Sequence, residues 1–154
     1  MKPIMILFTL AVLLGGATVC LADSPHMGTW KLNEAKSRFA PGSSKNITVV
    51  YEAAGDDIKV TVDGVDGEGN PAHNEWTGKF DGKYYAVTGD PTADMRSYRK
   101  INNHTLALTN KKGNKVILTG RITVSANGKT RTVTTSGKNS KGRMVTNRAV
   151  YDKQ

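Results

Sequence analysis

Apolar and polar residues alternate along much of this chain, and a period of two is the pattern of a strand with one buried face. Ile47, Val49 and Tyr51 alternate with Thr48 and Glu52. Ile58, Val60 and Val62 alternate with Lys59, Thr61 and Asp63, and Trp76 and Phe80 with Glu75, Thr77 and Lys79. Val116, Leu118, Ile122 and Val124 share one face, with Gly120 among them as the mark of a bend. Thr130, Thr132 and Thr134 alternate with Arg131 and Val133, and a last strand runs from about Arg143 to Tyr151. Asp81-Gly82 and Asn127-Gly128 are dipeptides of two-residue hairpins, whose central residues take positive φ. Gly67 to Asn70, Lys112 to Asn114 and Gly137 to Asn139 are further turn clusters. Strands thus recur about every ten residues with no long helical pattern between them. A single helical turn is expected at Asn33 to Phe39, capped by Asn33. The sequence predicts an all-β fold, an antiparallel up-and-down β-barrel of about 8–10 strands, because closure removes the exposed sheet edges.

The first 22 residues read differently. Lys2 precedes the apolar run Ile4 to Leu14, followed by Gly15, Gly16, Ala17 and a small-residue site ending at Ala22. That is the order of a secretory signal, and the run is shorter than the roughly 20 residues of a membrane span. The expectation is cleavage after Ala22, an exported periplasmic or secreted product, and one domain over residues 23–154. A lipid anchor on Cys20 competes, though Val19 makes a poor lipobox. If Cys20 leaves with the signal, the remaining chain has no thiol or disulfide chemistry. The charge is divided unevenly. Residues 23–95 hold 7 Lys and Arg against 12 Asp and Glu, whereas residues 96–154 hold 14 against one, Asp152. Such asymmetry suits either well-solvated outer faces or an anionic partner surface.

The stretch Gly28-Thr29-Trp30-Lys31-Leu32 opens the first expected strand. This Gly-x-Trp opening resembles the calycin superfamily of lipocalins and fatty-acid-binding proteins. The closing segment Asn147 to Lys153 is similar to the last strand of a fatty-acid-binding protein. The longer match, GTWKLNEAKSRF followed by Pro41-Gly42, resembles a group of small exported bacterial lipocalin-like proteins with no assigned activity. The resemblance implies that Trp30 plugs one barrel end against a late-strand basic side chain, for which Arg121 and Arg148 are the candidates. Two departures matter. About a dozen residues separate Leu32 from Ile47, too few for a two-helix lid at 1.5 Å per residue. Arg148 and Tyr151 lie three apart, which sends them to opposite strand faces and removes the family's Arg-x-Tyr carboxylate clamp.

Motifs for catalysis fail on inspection. Gly128-Lys129-Thr130 lacks the earlier glycine of a phosphate loop, since Thr123 stands there. His73-Asn74-Glu75 lacks the cysteines of a zinc deaminase, and the three histidines are scattered. Asp66, Glu68 and Asn70 have the spacing of a calcium loop, but Pro71 and Thr77 occupy its glycine and closing-glutamate positions. Ser136 and Ser140 lack a nucleophile elbow. The reading is therefore non-enzymatic, without metal or cofactor. The leading expectation is a small hydrophobic or amphipathic ligand inside the barrel, bound by Tyr51, Val60, Trp76, Phe80, Leu118 and two inward arginines, Arg99 and Arg148. The wider lumen set adds Ile47, Val49, Ile58, Val62, Leu106, Leu108, Val116 and Ile122. Arg99 and Arg148 enter on parity with Met95 and Ile101, and with Met144 and Val150, if those apolar residues face inward; the alternative is that each strand turns its basic side outward, as charged residues usually do. Two inward guanidiniums require an anionic ligand or acidic partners. The alternative expectation is a surface-interaction protein whose basic second half contacts anionic polymers, lipid head groups or an acidic protein. A third is an enzyme with an unrecognised site. No specific nucleic acid, no membrane span and a monomeric chain complete the expectation.

Overall fold

The computed structural model describes residues 24–139 and 141–154; the signal segment, Cys20, the cleavage site and Ser140 lie outside them. The strands are β1 (Gly28–Leu32), β2 (Lys45–Ala54), β3 (Asp57–Val65), β4 (Pro71–Gly78) and β5 (Tyr85–Thr88). They continue as β6 (Met95–Asn102), β7 (Thr105–Lys112), β8 (Lys115–Val124), β9 (Thr130–Lys138) and β10 (Met144–Lys153). Every strand pairs antiparallel with its sequence neighbour, and β1 pairs with both β2 and β10, closing a ten-stranded barrel. Trp30 stands opposite Val49 on one side and Lys153 on the other. The expected all-β antiparallel barrel without a helical lid is what the chain forms. Among the described residues no helix is long and apolar enough to cross a membrane.

The expected helical turn is a 3₁₀ turn over Glu34–Lys36, and the Asn33 side chain accepts the Lys36 N–H at 3.2 Å. The chain then returns along β10, where Arg38 bridges Arg148.

Two bulges correct the lumen set. The register slips between Asn46 and Thr48, and Ile47 is left 41% exposed. On β8 the slip falls between the partners of Asn110 and Lys111, and Val116 is 47% exposed. Each extra residue reverses strand parity locally, so an unbroken alternation is a false guide there. Both dipeptide turns also differ from expectation. Asn127 is not at positive φ; only Gly128 is, at 71°, in a longer loop closed by Ser125 and Thr130. Asp81-Gly82 makes no hairpin between β4 and β5. Gly82 N–H donates to the Tyr98 carbonyl (2.9 Å) and Lys100 N–H to that of Phe80 (3.1 Å). Residues 80–82 thereby extend the sheet along β6 beyond the short β5.

Candidate functional site

The barrel is filled at one end and open at the other. At the filled end Trp30 is fully buried and its indole N–H donates to the His26 carbonyl at 2.9 Å. Trp76, Tyr51, Tyr98 and Phe80 pack edge-to-face above it, with Trp76 and Tyr98 centroids 4.7 Å apart. Such pairs add to the burial of their large apolar area. The expected barrel-end tryptophan therefore sits in a plug. Its basic neighbours are neither Arg121 nor Arg148, which are exposed, but Lys153 on β10, whose ammonium lies 5.2 Å from the Trp30 ring, and Arg131 on β9, whose guanidinium lies 5.9 Å from it.

Above the plug a cavity of about 570 Å³ runs to the open end. Val49, Val62, Leu108, Leu118, Ile122 and Val133 give it apolar walls, while Tyr51, Tyr98, Tyr151, Asn110, Thr135 and two arginines supply polar groups. The volume lies in the ordinary range for a small-molecule site, and the lining carries further polar side chains, among them Asn46, His73, Asn147 and the carboxylates of Asp66 and Asp90.

The inward arginines are Arg96 and Arg131, not Arg99 and Arg148. Arg96 and Tyr98 face the lumen from β6, so Arg99 faces out; on β10 Ala149 and Tyr151 face in, so Arg148 faces out and donates from Nη1 to the Lys36 carbonyl at 3.1 Å. Two of the apolar neighbours that suggested the opposite parity are exposed, Ile101 at 40% and Met144 at 66%; Val150 is buried, with its backbone bonded to the Ser37 hydroxyl of the segment that crosses β10. Tyr98 on β6, and Val133 beside Arg131 on β9, carried the correct parity. Of the other expected ligand-contacting residues, Tyr51 and Leu118 line the cavity. Val60 and Trp76 are buried in the packed core, and Phe80 is partly buried against it.

The two arginines have different surroundings. Arg96 donates from Nε to Asn110 (3.1 Å) and from Nη1 to Asn74 (3.1 Å), and its Nη2 stands 3.5 Å from the Asp90 carboxylate near the cavity mouth. Arg131 is 4% exposed and donates only from Nη2, to the Tyr51 hydroxyl at 2.9 Å. Its Nε and Nη1 have no acceptor among the described residues, and no carboxylate pairs with it. The rings of Tyr51 at 4.7 Å and Tyr151 at 5.3 Å flank its guanidinium. Cation–π attraction offsets part of the desolvation of that charge. The phenols do not neutralise it. Burial pushes Tyr151 up to about 12 against the pull of Arg131, and raises Tyr51 well above the usual phenol range for the same reason.

The acidic hairpin is a plain turn. Asp66 accepts the backbone N–H groups of Glu68 and Asn70, both at 2.9 Å, and the Asn70 amide at 3.1 Å. These bonds, the Asn70 side chain first, hold its carboxyl below the usual range. With this geometry in hand, comparison gives no relative to lean on: no protein-family model matches the chain, and no curated protein matches its sequence.

Proposed function

We propose that the barrel binds a small amphipathic molecule with an acidic head group, head downward against Arg131 and apolar body along the cavity wall. The observation that carries this reading is the buried Arg131 at the cavity with two nitrogens unpaired and no carboxylate beside it. A permanently protonated guanidinium is the side chain best suited to a carboxylate or sulfonate, through two parallel N–H bonds. Arg96 is the weaker candidate for the head group because Asn74, Asn110 and Asp90 already occupy its donors. The calycin-like opening at Gly28-Thr29-Trp30 supports the same use of the lumen, as does a ten-stranded circumference with room for a ligand.

The test is displacement of a fluorescent fatty-acid probe by a medium-chain carboxylic acid and by the alcohol of equal length. The acid is expected to compete at least about tenfold better, the worth of one charge-assisted contact of about 1.4 kcal/mol. Arg131→Met should remove the preference while leaving the far-ultraviolet dichroism of the barrel unchanged. Equal competition by acid and alcohol in the native chain would reject the reading. Solvent extraction of the purified protein, followed by mass spectrometry, identifies any acid that co-purifies.

A further inference from the structure

The outer face of β6 to β10 carries a second pattern, independent of the lumen. Along the cross-strand partners, Arg99 stands opposite Ala107, Ala107 opposite Arg121, Arg121 opposite Thr134, and Thr134 opposite Arg148. Arg38 then bridges Arg148 from the segment after the 3₁₀ turn. One continuous row across the barrel wall thus carries four exposed arginines with small residues between them. Neighbouring strands are about 4.8 Å apart, so Arg99, Arg121 and Arg148 repeat at about 10 Å along the row.

No carboxylate neutralises this row. Among the described residues none of Arg38, Arg99, Arg121 and Arg148 forms an ion pair. Asp81 lies across from Arg99, yet its oxygens accept the Lys83 N–H and the Tyr85 hydroxyl. From Arg96 to Tyr151 the chain contains no acidic residue at all. Asp152, near the end of β10, is bonded to Asn33 at 2.7 Å and lies 4.0 Å from Lys36. The row ends in a groove of about 580 Å³ between the 35–38 segment and strands β9 and β10, lined by Lys36, Arg38, Arg148, Thr130 and Thr132.

We infer that this face binds an extended acidic polysaccharide, with its carboxylates on the arginine row and one end of the chain in the groove. Three observations select this partner among polyanions. Hydroxyl groups flank the arginines on the same face: Thr119 and Thr123 on β8, Thr132 and Ser136 on β9, and Thr146 on β10. A hydroxyl both donates and accepts, which matches sugar hydroxyls in either orientation. Tyr98 and Tyr151, the aromatic residues of β6 to β10, both line the lumen, so the bases of single-stranded nucleic acid have no platform on which to stack. The same absence of aromatic anchors disfavours a protein partner, and the exposed apolar residues of these strands, Ile101, Val116 and Met144, stand singly on three different strands rather than as one face for a bilayer interface. The repeat suits a glycan with its acid on every second sugar or on each.

The experiment measures binding of the chain from Asp23 onward to polygalacturonate by calorimetry at low and at physiological salt. The comparators are fully methyl-esterified polygalacturonate, phosphatidylglycerol vesicles and an oligothymidylate. The native protein is expected to bind polygalacturonate in preference to all three, more weakly as salt rises. Replacing Arg99, Arg121 and Arg148 together by Gln should lower affinity roughly tenfold or more, since exposed pairs are individually weak but add along a row. Replacing the exposed Lys112, Lys115 and Lys141 by Gln removes the same charge away from the row, and should cost no more than about twofold on the same reasoning. The triple Arg→Lys variant keeps the charge but loses the two-pronged geometry, and should fall between. Equal losses in the two Gln variants would reduce the effect to net charge and overturn the assignment. So would unchanged binding after esterification, or tighter binding to vesicles or oligonucleotide than to polygalacturonate. All the variants alter exposed side chains, and their thermal unfolding midpoints serve as the folding control.

Discussion

His26 makes the filled end of the barrel sensitive to acid, and the size of the effect can be worked out. It is 2% exposed, and neither ring nitrogen has a hydrogen-bond partner among the described residues. Burial, with Arg131, His104, Lys100 and Lys153 around it, lowers its pKa from 6.5 to about 4. A histidine whose folded pKa lies below the unfolded one binds its proton more readily in the unfolded chain. Stability from the neutral ring is therefore complete above pH 6.5, falls as the pH drops from 6.5 toward 4, and levels off below. A difference of 6.5 − 4 = 2.5 between the two pKa values gives at most about 3 kcal/mol. About 2.5 kcal/mol of that is lost by roughly pH 4.5, a large share of the 5–15 kcal/mol typical of a domain. The perturbation is His26→Leu. Apolar volume is roughly kept, no hydrogen bond of the ring is lost, and the backbone carbonyl that accepts from Trp30 is retained. Urea unfolding of both proteins, followed by tryptophan fluorescence, is run in half-unit steps from neutral pH to about pH 4.5. Carboxylates titrate in both proteins, so the quantity to read is the difference between them. That difference should move in favour of the leucine variant by about 1.2 kcal/mol per pH unit between 6 and 4.5. Parallel stability profiles would refute the reasoning, as would a His26 titration near 6.5 observed by proton NMR.

Three further perturbations check the packing. Trp30→Ala should destabilise the barrel by about 3–5 kcal/mol, because the largest fully buried side chain of the plug is lost. Thermal and denaturant unfolding read this directly. Gly78→Ala should cost about 1–3 kcal/mol, since a Cβ there would come within 2.5 Å of the Tyr85 ring and 2.8 Å of Trp76. The signature is a lower denaturant midpoint at unchanged slope. Asn33→Ala should cost about 1 kcal/mol, because it removes both the cap on Lys36 N–H and the bond to Asp152. Hydrogen exchange at Lys36 should accelerate in that variant.

The fold was legible because strand periodicity and turn residues agree along nearly the whole chain, and because a meander of that many strands has one simple way to lose its edges. The one short helical turn was legible for a local reason, the Asn33 cap. The site was less legible because inward and outward faces are a matter of parity, and parity is lost at any irregularity. Ile47 and Val116 lie at bulges created by register slips that no local residue announces. Arg99 and Arg148 were placed with apolar neighbours of which Ile101 and Met144 are exposed and Val150 is buried beneath the 35–38 segment rather than in the lumen. On a strand with a basic residue at each parity, such as β6 with Arg96 and Arg99, the flanking apolar residues cannot decide which arginine is inside. The deciding contacts are remote in sequence: Tyr51, 80 residues away, accepts from Arg131, and Asn74, 22 residues away, accepts from Arg96.

The contrast between the barrel's two ends follows from side-chain size at a fixed strand number. At the filled end the inward positions are Trp30, Tyr51, Trp76, Tyr98, Leu106 and Ile122, and these large groups meet across the axis. Toward the mouth the lumen is lined by Ala72 and Asn74 on β4, Asn110 on β7, Thr135 on β9 and Asn147 on β10, which are too short to do so. Gly120 and Gly137 cannot be enlarged to fill the gap, because a Cβ at either would press on a neighbouring strand's carbonyl oxygen, at 2.9 Å and 2.8 Å. A barrel selected only for stability would have placed larger apolar groups at the short positions, since an unfilled interior forfeits dispersion contacts. Here the short positions carry amides and hydroxyls, and a lone guanidinium stands between them and the aromatic plug. That arrangement costs stability in the protein, and under the proposed reading an acid entering the cavity would offset the cost, so a bound carboxylate should raise the unfolding temperature most in the native chain and least in Arg131→Met.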